Sequence, residues 1–516
     1  MVEVKIISEN TRTVKPVILV EYSKKYIDEL SEKYPDISDA IEFIIDDKLC
    51  EQCEIMLGKK MVPVYNFEYL SSIKSDDYDY LIASDYEFEI YDKIHFQKNR
   101  SYTVYFFYDE ETAIALAYRK KYELKPLENI IIFRSGPHAN SYVKGMDFAD
   151  NARALFEYMI SKEYNKKYEL VWFVKNPEDF NDLNGVSYGE IENVKFISLK
   201  DATSDDINKQ EEYYRVLFLA KYIFMTDAYG FAKNCRKEQI RIQLWHGCGF
   251  KTRVNFASCE KRYEYNIVIS DLYKKIHQKI YGLREDQVVV TGYPKQDWLR
   301  MPYEKSLQEL FGIKKTKKVI FWLPTFRMAD DKLKELNQYE LSTETSLPIV
   351  GTYKQLDMLN EILAKEDIFI IIKFHPFLKK ENIKHFRYSN IIGLSNGELV
   401  DKDLVINRLL ADADALISDY SSAAVDYLTL DRPIAFTLDD VEEYKNSRGF
   451  VFDNIYDWLP GKEVFSFEDF VTFIHEIACD VDSTMEKRKK IAFKLNWFYD
   501  NNNCQRVLEQ FGIWRD

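Results

Sequence analysis

The sequence predicts an α/β protein in which two doubly wound Rossmann-type domains face one another across a cleft, with a small extra α/β module in front. Three observations predict it. Beyond residue 126, short apolar runs of strand length alternate with helical patterns, the mark of parallel sheets covered by helices. The 516 residues provide for about three domains at roughly 150 residues each. Charged and hydroxyl residues recur directly after the apolar runs, at the strand ends where such sheets bind ligands.

Residues 1–125 read as the front module. Strands are expected at 17–21, 41–45 and 80–84, a short extended piece at 62–65, and helices at 22–34 and 68–73. A strand at 103–108 and a helix at 110–122 follow, the helix ending in Arg119-Lys120-Lys121. That basic end suits an anionic surface or a solvated helix C-terminus. After Val20 the chain runs Glu21-Tyr22-Ser23-Lys24-Lys25, where a dinucleotide site needs GxGxxG for close backbone approach. The module is therefore expected to be structural or protein-contacting.

Residues 126–300 form the second domain. Apolar runs at 130–133, 170–174, 194–197, 222–225, 240–245, 267–269 and 288–290 alternate with helical patterns such as 151–163 and 210–220. Suggestive residues follow the runs: Arg134-Ser135-Gly136, Thr226-Asp227, His246-Gly247, Ser270-Asp271 and Gly292-Tyr293-Pro294-Lys295. Residues 301–516 repeat the pattern, with runs at 319–323, 368–373, 391–394, 415–417 and 434–436. The first two of these lead into Pro324-Thr325-Phe326-Arg327 and Phe374-His375-Pro376. The stretch 466–513 reads as largely helical, with a polar break near Asn501-Asn502-Asn503.

Composition narrows the function. With 46% hydrophobic and 30% charged residues the chain is globular and able to bury large cores. A net charge of −14 argues against non-specific nucleic-acid binding, which needs a basic surface. No apolar run approaches roughly 18 residues, so no transmembrane helix is expected. The opening MVEVKIISENTRTVK lacks the apolar stretch of a signal peptide. Seven scattered cysteines suit a reducing cytoplasm. Cys50 and Cys53 form a CxxC without a second pair, so no zinc site is expected.

The chemistry gathers in residues 411–450. The run 415–417 gives out into Ser418-Asp419-Tyr420-Ser421-Ser422, and a small-residue helix begins at Ala423. A helix start with two hydroxyls favours an anion, although a serine that merely caps the helix explains the pattern as well. Arg327, Lys373 and Arg448 can neutralise a pyrophosphate there without a metal. His246 and His375 follow strand ends, one in each domain, where an imidazole can take a proton from an attacking hydroxyl. Gly247 lets backbone approach closely. Each histidine can equally be a satisfied loop residue. His95, His138, His277, His385 and His475 lack such context. Asp412-Ala413-Asp414 has a DxD spacing but precedes its strand, and is read as a solvated helix end.

Five ordered motifs carry a resemblance: QLWHGCGFKT from Gln243, TGYPKQD from Thr291, FWLPTFR from Phe321, KFHP from Lys373, and ISDYSSAAVDYLTLDRP with SRGF between Ile417 and Phe450. Together they resemble the CDP-glycerol glycerophosphotransferase family, the teichoic acid primases and polymerases with their ribitol and capsule relatives, over residues 126–500. The resemblance implies a GT-B-like fold with the acceptor side in 126–300 and the CDP-polyol donor side in 301–516. It implies transfer of a polyol phosphate, glycerol phosphate or ribitol phosphate, from a CDP-polyol to a hydroxyl of a lipid-linked or polymeric acceptor, releasing CMP. His246 matches the candidate general base, and His375 the group that stabilises the transferring phosphoryl or leaving CMP. Arg327, Lys373, Ser421, Ser422, Arg448 and Gly449 are the expected donor contacts; Gly247, Lys251, Gly292, Pro294, Lys295 and Asp419 complete the substrate-binding set. No cofactor and no obligatory metal are implied.

Two departures bear on the acceptor: Cys248-Gly249 stands where many members have Thr-Pro, and Lys295-Gln296 where many have Arg-Asn. Membrane association at the inner face of the cell membrane is expected because the acceptor is lipid-linked, through aromatic and basic stretches such as 118–125 or 487–498. Self-association is a further expectation. Competing readings are a GT-B glycosyltransferase using a nucleotide sugar and a non-catalytic scaffold with a degenerate donor domain.

Overall fold

Three sheets organise the computed structural model, which describes the chain except residues 1, 7–10, 12, 14, 22–23, 51–53, 58–59, 74–77, 83–101, 107–109, 137–146, 181–182, 184–185, 228–230, 232–234, 253–262, 326–342, 375–384, 448 and 516. The first sheet contains β1 (Val2–Ile6), β2 (Val17–Val20), β3 (Ile41–Ile45), β4 (Glu54–Leu57), β5 (Lys60–Tyr65), β6 (Asp79–Ile82) and β7 (Tyr102–Phe106). Its order is β1-β7-β6-β2-β3-β5-β4, parallel except for the β4–β5 hairpin. The helix expected at 22–34 is Lys24–Lys33, and a second helix, Pro35–Ala40, which was not expected, follows it because Pro35 starts a new first turn. β1 and β4 were not expected from the sequence.

The second sheet contains β8 (Glu128–Gly136), β9 (Glu169–Val174), β10 (Val194–Ser198), β11 (Ala220–Asp227), β12 (Ile240–Gln243), β13 (Tyr265–Val268) and β14 (Val288–Val290), in the order β10-β9-β8-β11-β12-β13-β14. The third contains β15 (Lys318–Trp322), β16 (Ile368–Lys373), β17 (Ile391–Leu394), β18 (Ala415–Ser418), β19 (Ile434–Thr437) and β20 (Lys462–Val464), ordered β17-β16-β15-β18-β19-β20. Both have the doubly wound order that winds outward from a central pair, and ligands of such sheets sit where the winding reverses. Those reversal points are β8/β11 and β15/β18. The strands are parallel, in registers such as Ile320↔Ile370 and Phe321↔Leu416. Continuous apolar strands such as IFIIIK in β16 are what a sheet covered on both faces requires. β20 was not expected, since KEV carries no strand pattern and gains its place by pairing with β19.

The described chain divides into two compact units. One holds Met1–Ile130 with Ile197–Lys221 and Phe231–Gln239; the other holds Ile131–Phe196, Tyr222–Gly230 and Ile240–Asp516. In the first, buried Val17, Leu19, Ile27, Leu30, Ile44 and Leu81 make a core of their own. The end of the chain departs from the expected division. The helix Asn503–Gln510 packs on the second sheet instead of staying with the third. Asp297 accepts the Asn503 and Cys504 N–H groups at 3.0 and 2.9 Å, and the Tyr222 hydroxyl donates to the Phe511 carbonyl at 3.2 Å.

Candidate active site

The third sheet supplies one wall. β18 ends at Ser418, and the fully buried Asp419 turns inward. One of its carboxylate oxygens accepts the Thr325 N–H at 2.7 Å and the other takes the Thr325 hydroxyl. Asp419 thereby ties the ends of β15 and β18 together across the reversal point. Ser421 caps the short helix Ala423–Tyr427, accepting the Ala423 N–H at 3.3 Å. Ser422 itself has helical backbone angles and makes no cap. Among the described residues its hydroxyl meets no partner, so it is available to a ligand. At the end of β16, Lys373 makes no ion pair among the described residues, and burial pulls its ammonium down to about 8.

The second sheet supplies the other wall. The Gln243 side chain accepts N–H groups from Asp227 and Trp245 at 3.1 and 3.0 Å and donates to the Asp227 carbonyl at 2.8 Å, joining the ends of β11 and β12. Trp245 sits at φ 54°, a conformation costly for a bulky residue. Asn151 holds it there, donating to the Leu244 and Trp245 carbonyls at 3.2 and 2.8 Å. The His246 ring stacks on Trp245, centroids 4.5 Å apart. Cys248 points away, its thiol 3.0 Å from the Tyr293 hydroxyl and 3.6 Å from His277 Nε2, while His277 Nδ1 meets Asn266 Oδ1 at 2.6 Å. Burial pushes the Cys248 thiol far up, so this network is structural and the sulfur is no nucleophile.

The walls meet at glycines. A Cβ on Gly247, whose φ is 151°, would lie 2.4 Å from Ser422 Oγ, and one on Gly249 would lie 3.1 Å from the Ser422 N and Cα. Thr252 N–H donates to the Gly449 carbonyl at 3.2 Å, and Val451 N–H to the Phe250 carbonyl at 2.9 Å. Gly449 is at φ 77°, and a Cβ there would meet Thr252 Cγ2 at 2.9 Å. Lys251 donates to the Thr325 hydroxyl at 3.3 Å. A cavity of 400 Å³ remains between the walls, lined by His246, Lys251, Thr325, Lys373, Ser421 and Ser422 among others. Replacing Gly247 with alanine is expected to lower activity by pushing Ser422 and the His246 turn apart; steady-state kinetics on Gly247→Ala checks this.

The remaining described motif residues, Gly292, Pro294 and Lys295, do not line this cavity themselves. Gly292, at φ 80°, faces Asn503 so closely that a Cβ would stand 2.0 Å from Oδ1, and Pro294 opens the buried turn Pro294–Arg300. The Lys295 ammonium donates to the His246 carbonyl and pairs with Asp150 at 3.2 Å and Asp426 at 3.5 Å. Arg327, His375 and Arg448 lie outside the described residues. Ser135 and Thr226, at the ends of β8 and β11, accept the Ala149 and Ala152 N–H groups at 3.0 Å each and so fix the start of the helix Asp150–Ser161. Asp412 and Asp414 accept the Leu307 and Val319 N–H groups at 3.1 and 2.8 Å, tying the turn before β18 to the start of the helix Leu307–Phe311 and to β15. Asn151, Asp150 and Asp426 were missed in the sequence. The available signal was a carboxylate within the otherwise apolar AAVDYL pattern, a position that burial makes costly unless it is paired.

A family model described as CDP-Glycerol:Poly(glycerophosphate) glycerophosphotransferase matches residues 116–511. The chain belongs to this glycerophosphotransferase family. Among relatives, the teichoic acid poly(ribitol-phosphate) polymerase of Bacillus spizizenii is 27% identical over 52% of this chain and 46% of its own length. The teichoic acid poly(glycerol phosphate) polymerase of Staphylococcus epidermidis is 25% identical over 69% of this chain and likewise 46% of the relative, so the match spans about half the length of both polymerases. The teichoic acid glycerol-phosphate primase of Bacillus subtilis is 26% identical over 70% of this chain and 89% of the relative. The solved structure of the wall teichoic acid polymerase TagF is similar with a TM-score of 0.55 at 20% identity, covering 78% of this chain and 92% of that one. The chain therefore has a GT-B-like α/β fold, as expected from its motifs. No helix among its described residues is long and apolar enough to cross a membrane.

Proposed function

We propose that the chain transfers a polyol phosphate from CDP-glycerol or CDP-ribitol to a hydroxyl of a lipid-linked or polymeric acceptor, releasing CMP. One observation carries the reading: a half-buried lysine without a counter-charge and a serine hydroxyl without a partner, both among the described residues, line a 400 Å³ cavity that His246 also lines. An anionic donor supplies the missing charge. His246 takes the proton of the acceptor hydroxyl as its oxygen attacks the β-phosphorus. A new P–O bond forms, the bond to the bridging oxygen breaks, and CMP leaves with the electron pair. Lys373 and Ser422 hold the pyrophosphate oxygens, and Arg327, Arg448 and His375, carried over from the family motifs, add charge to the same end.

The step is alignment and charge neutralisation, which these side chains supply without a metal. Lys251 and Gly449 belong to the chain crossing that closes one side of the cavity. The acceptor brings the protein to the inner face of the cell membrane as a peripheral partner. Purified protein incubated with radiolabelled CDP-glycerol, CDP-ribitol and UDP-sugars in turn, with a lipid-linked acceptor and with chelator present, is expected to release CMP from a CDP-polyol. Turnover of a UDP-sugar alone would instead make it a glycosyltransferase.

A further inference from the structure

We propose that Asp150 and Lys295 are positioning residues for His246, holding the turn that carries it and keeping a negative charge beside its imidazole. The inference rests on His246 acting as the base, as read above. Three charged groups, one cation and two carboxylates, meet beneath the His246 turn. The Lys295 side chain is 10% exposed; it donates to the His246 carbonyl and pairs with Asp150 and Asp426. Asp426, 3% exposed, is held by the Gln296 amide at 2.8 Å. Replacing such a cluster with apolar groups is often neutral or stabilising, so stability alone does not account for it.

The local backbone is organised around the cluster. Asp150 opens the helix Asp150–Ser161 at φ 60°, a strained angle outside glycine. The Trp172 indole fixes the preceding turn by donating to the Asp147 carbonyl at 2.6 Å, and the Lys295 N–H donates to Asn151 Oδ1 at 3.1 Å. The helix that presents Asp150 and the turn that presents Lys295 are thus locked together, and Asn151 holds the peptide before His246. Among the described residues, the charged groups around His246 include Asp150, Lys295 and Asp426 beneath its turn, and Lys251 and Lys373, which line the cavity with it. Of the two carboxylates, Asp150 is the one whose ionised form the imidazolium favours, although burial raises both. When His246 accepts the acceptor's proton, the Asp150 carboxylate stabilises the imidazolium.

The test compares Asp150→Asn with Asp426→Asn, which removes the same charge from the cluster. Asp150→Asn is expected to lower kcat by about 10²-fold with donor affinity unchanged. It is also expected to move the acid limb of the pH–rate profile to lower pH, because the imidazolium loses its neighbour and His246 becomes neutral at lower pH. Asp426→Asn is expected to leave that limb in place. An unshifted limb and wild-type kcat in Asp150→Asn overturn the proposal. If that variant does not fold, Asp150→Glu replaces it: the limb is expected to stay while kcat falls, and an unchanged kcat overturns the proposal equally. Wild-type protein that releases no CMP from either CDP-polyol overturns the function and this inference together. Active wild type with a silent Asp150→Asn overturns only the inference.

Discussion

His246→Ala is expected to abolish transfer, by about 10²–10⁴-fold in kcat, while CDP-polyol binding persists. The expectation follows from how the site is divided. The imidazole stacks on Trp245 in a turn held by Asn151 and Lys295, all on the second sheet and the segments around it. The groups available to the pyrophosphate, Lys373 and Ser422, belong to the third sheet, whose turn is tied by Asp419 to Thr325 and does not depend on the imidazole. CMP release measures the first effect and titration calorimetry the second. Residual turnover within tenfold of wild type would end the assignment of His246 as the base. Loss of donor affinity in the same variant would move it into the donor site.

The second expected result concerns pH. Burial lowers the Lys373 ammonium from its ordinary 10.5 to about 8. A bound pyrophosphate restores a counter-charge and raises that value. Between the free and bound values the protein takes up a proton when donor binds, so donor affinity falls as pH rises through about 8, by about tenfold per pH unit until the bound value is reached. Calorimetry in buffers of different ionisation enthalpy reads the proton uptake. Lys373→Met is expected to weaken donor binding by about 10- to 100-fold, the worth of a hydrogen bond to a charged group, and to flatten this pH dependence. A slope that survives in Lys373→Met would assign the titration to another group. The same shift has a stability side: the cost of burying the cation is full below about 8 and is relieved as pH rises toward 10.5.

The central strands were legible because burial on both faces demands long β-branched and apolar runs, as in β16 and β18, and because each run stops at a polar turn. That the sheets are parallel and doubly wound followed from the alternation of strands and helices; the strand order did not. What escaped the sequence depends on distant partners. β20 is a strand through its pairing with β19, and the last helix is held to the second sheet by buried Asp297 and by the Tyr222 hydroxyl. The motif histidine, lysines and serines were legible as positions, but not the different surroundings of Lys295 and Lys373. One sits among two carboxylates beneath the His246 turn; the other has no counter-charge among the described residues. Asp150 resembles any solvated helical carboxylate, and the apolar neighbours of Asp426 hint at its burial but not at its partner, until the fold brings Lys295 between them. The left-handed turn at Trp245 was also hidden, since a bulky residue there gives no local sign of needing Asn151.

The return of the last helix to the second sheet changes what counts as a separable piece of this chain. The polypeptide leaves the second sheet after the turn Pro294–Arg300, builds the third, and comes back through residues 496–513. The third sheet is therefore an insertion within the sequence of its neighbour, not a C-terminal appendage. A nick in the stretch before β15 leaves both halves joined by the returning tail, and a fragment ending at about residue 300 lacks the helix that Asp297 is built to receive. Split versions of the protein have to respect that closed circuit, with the tail kept on whichever fragment carries the second sheet.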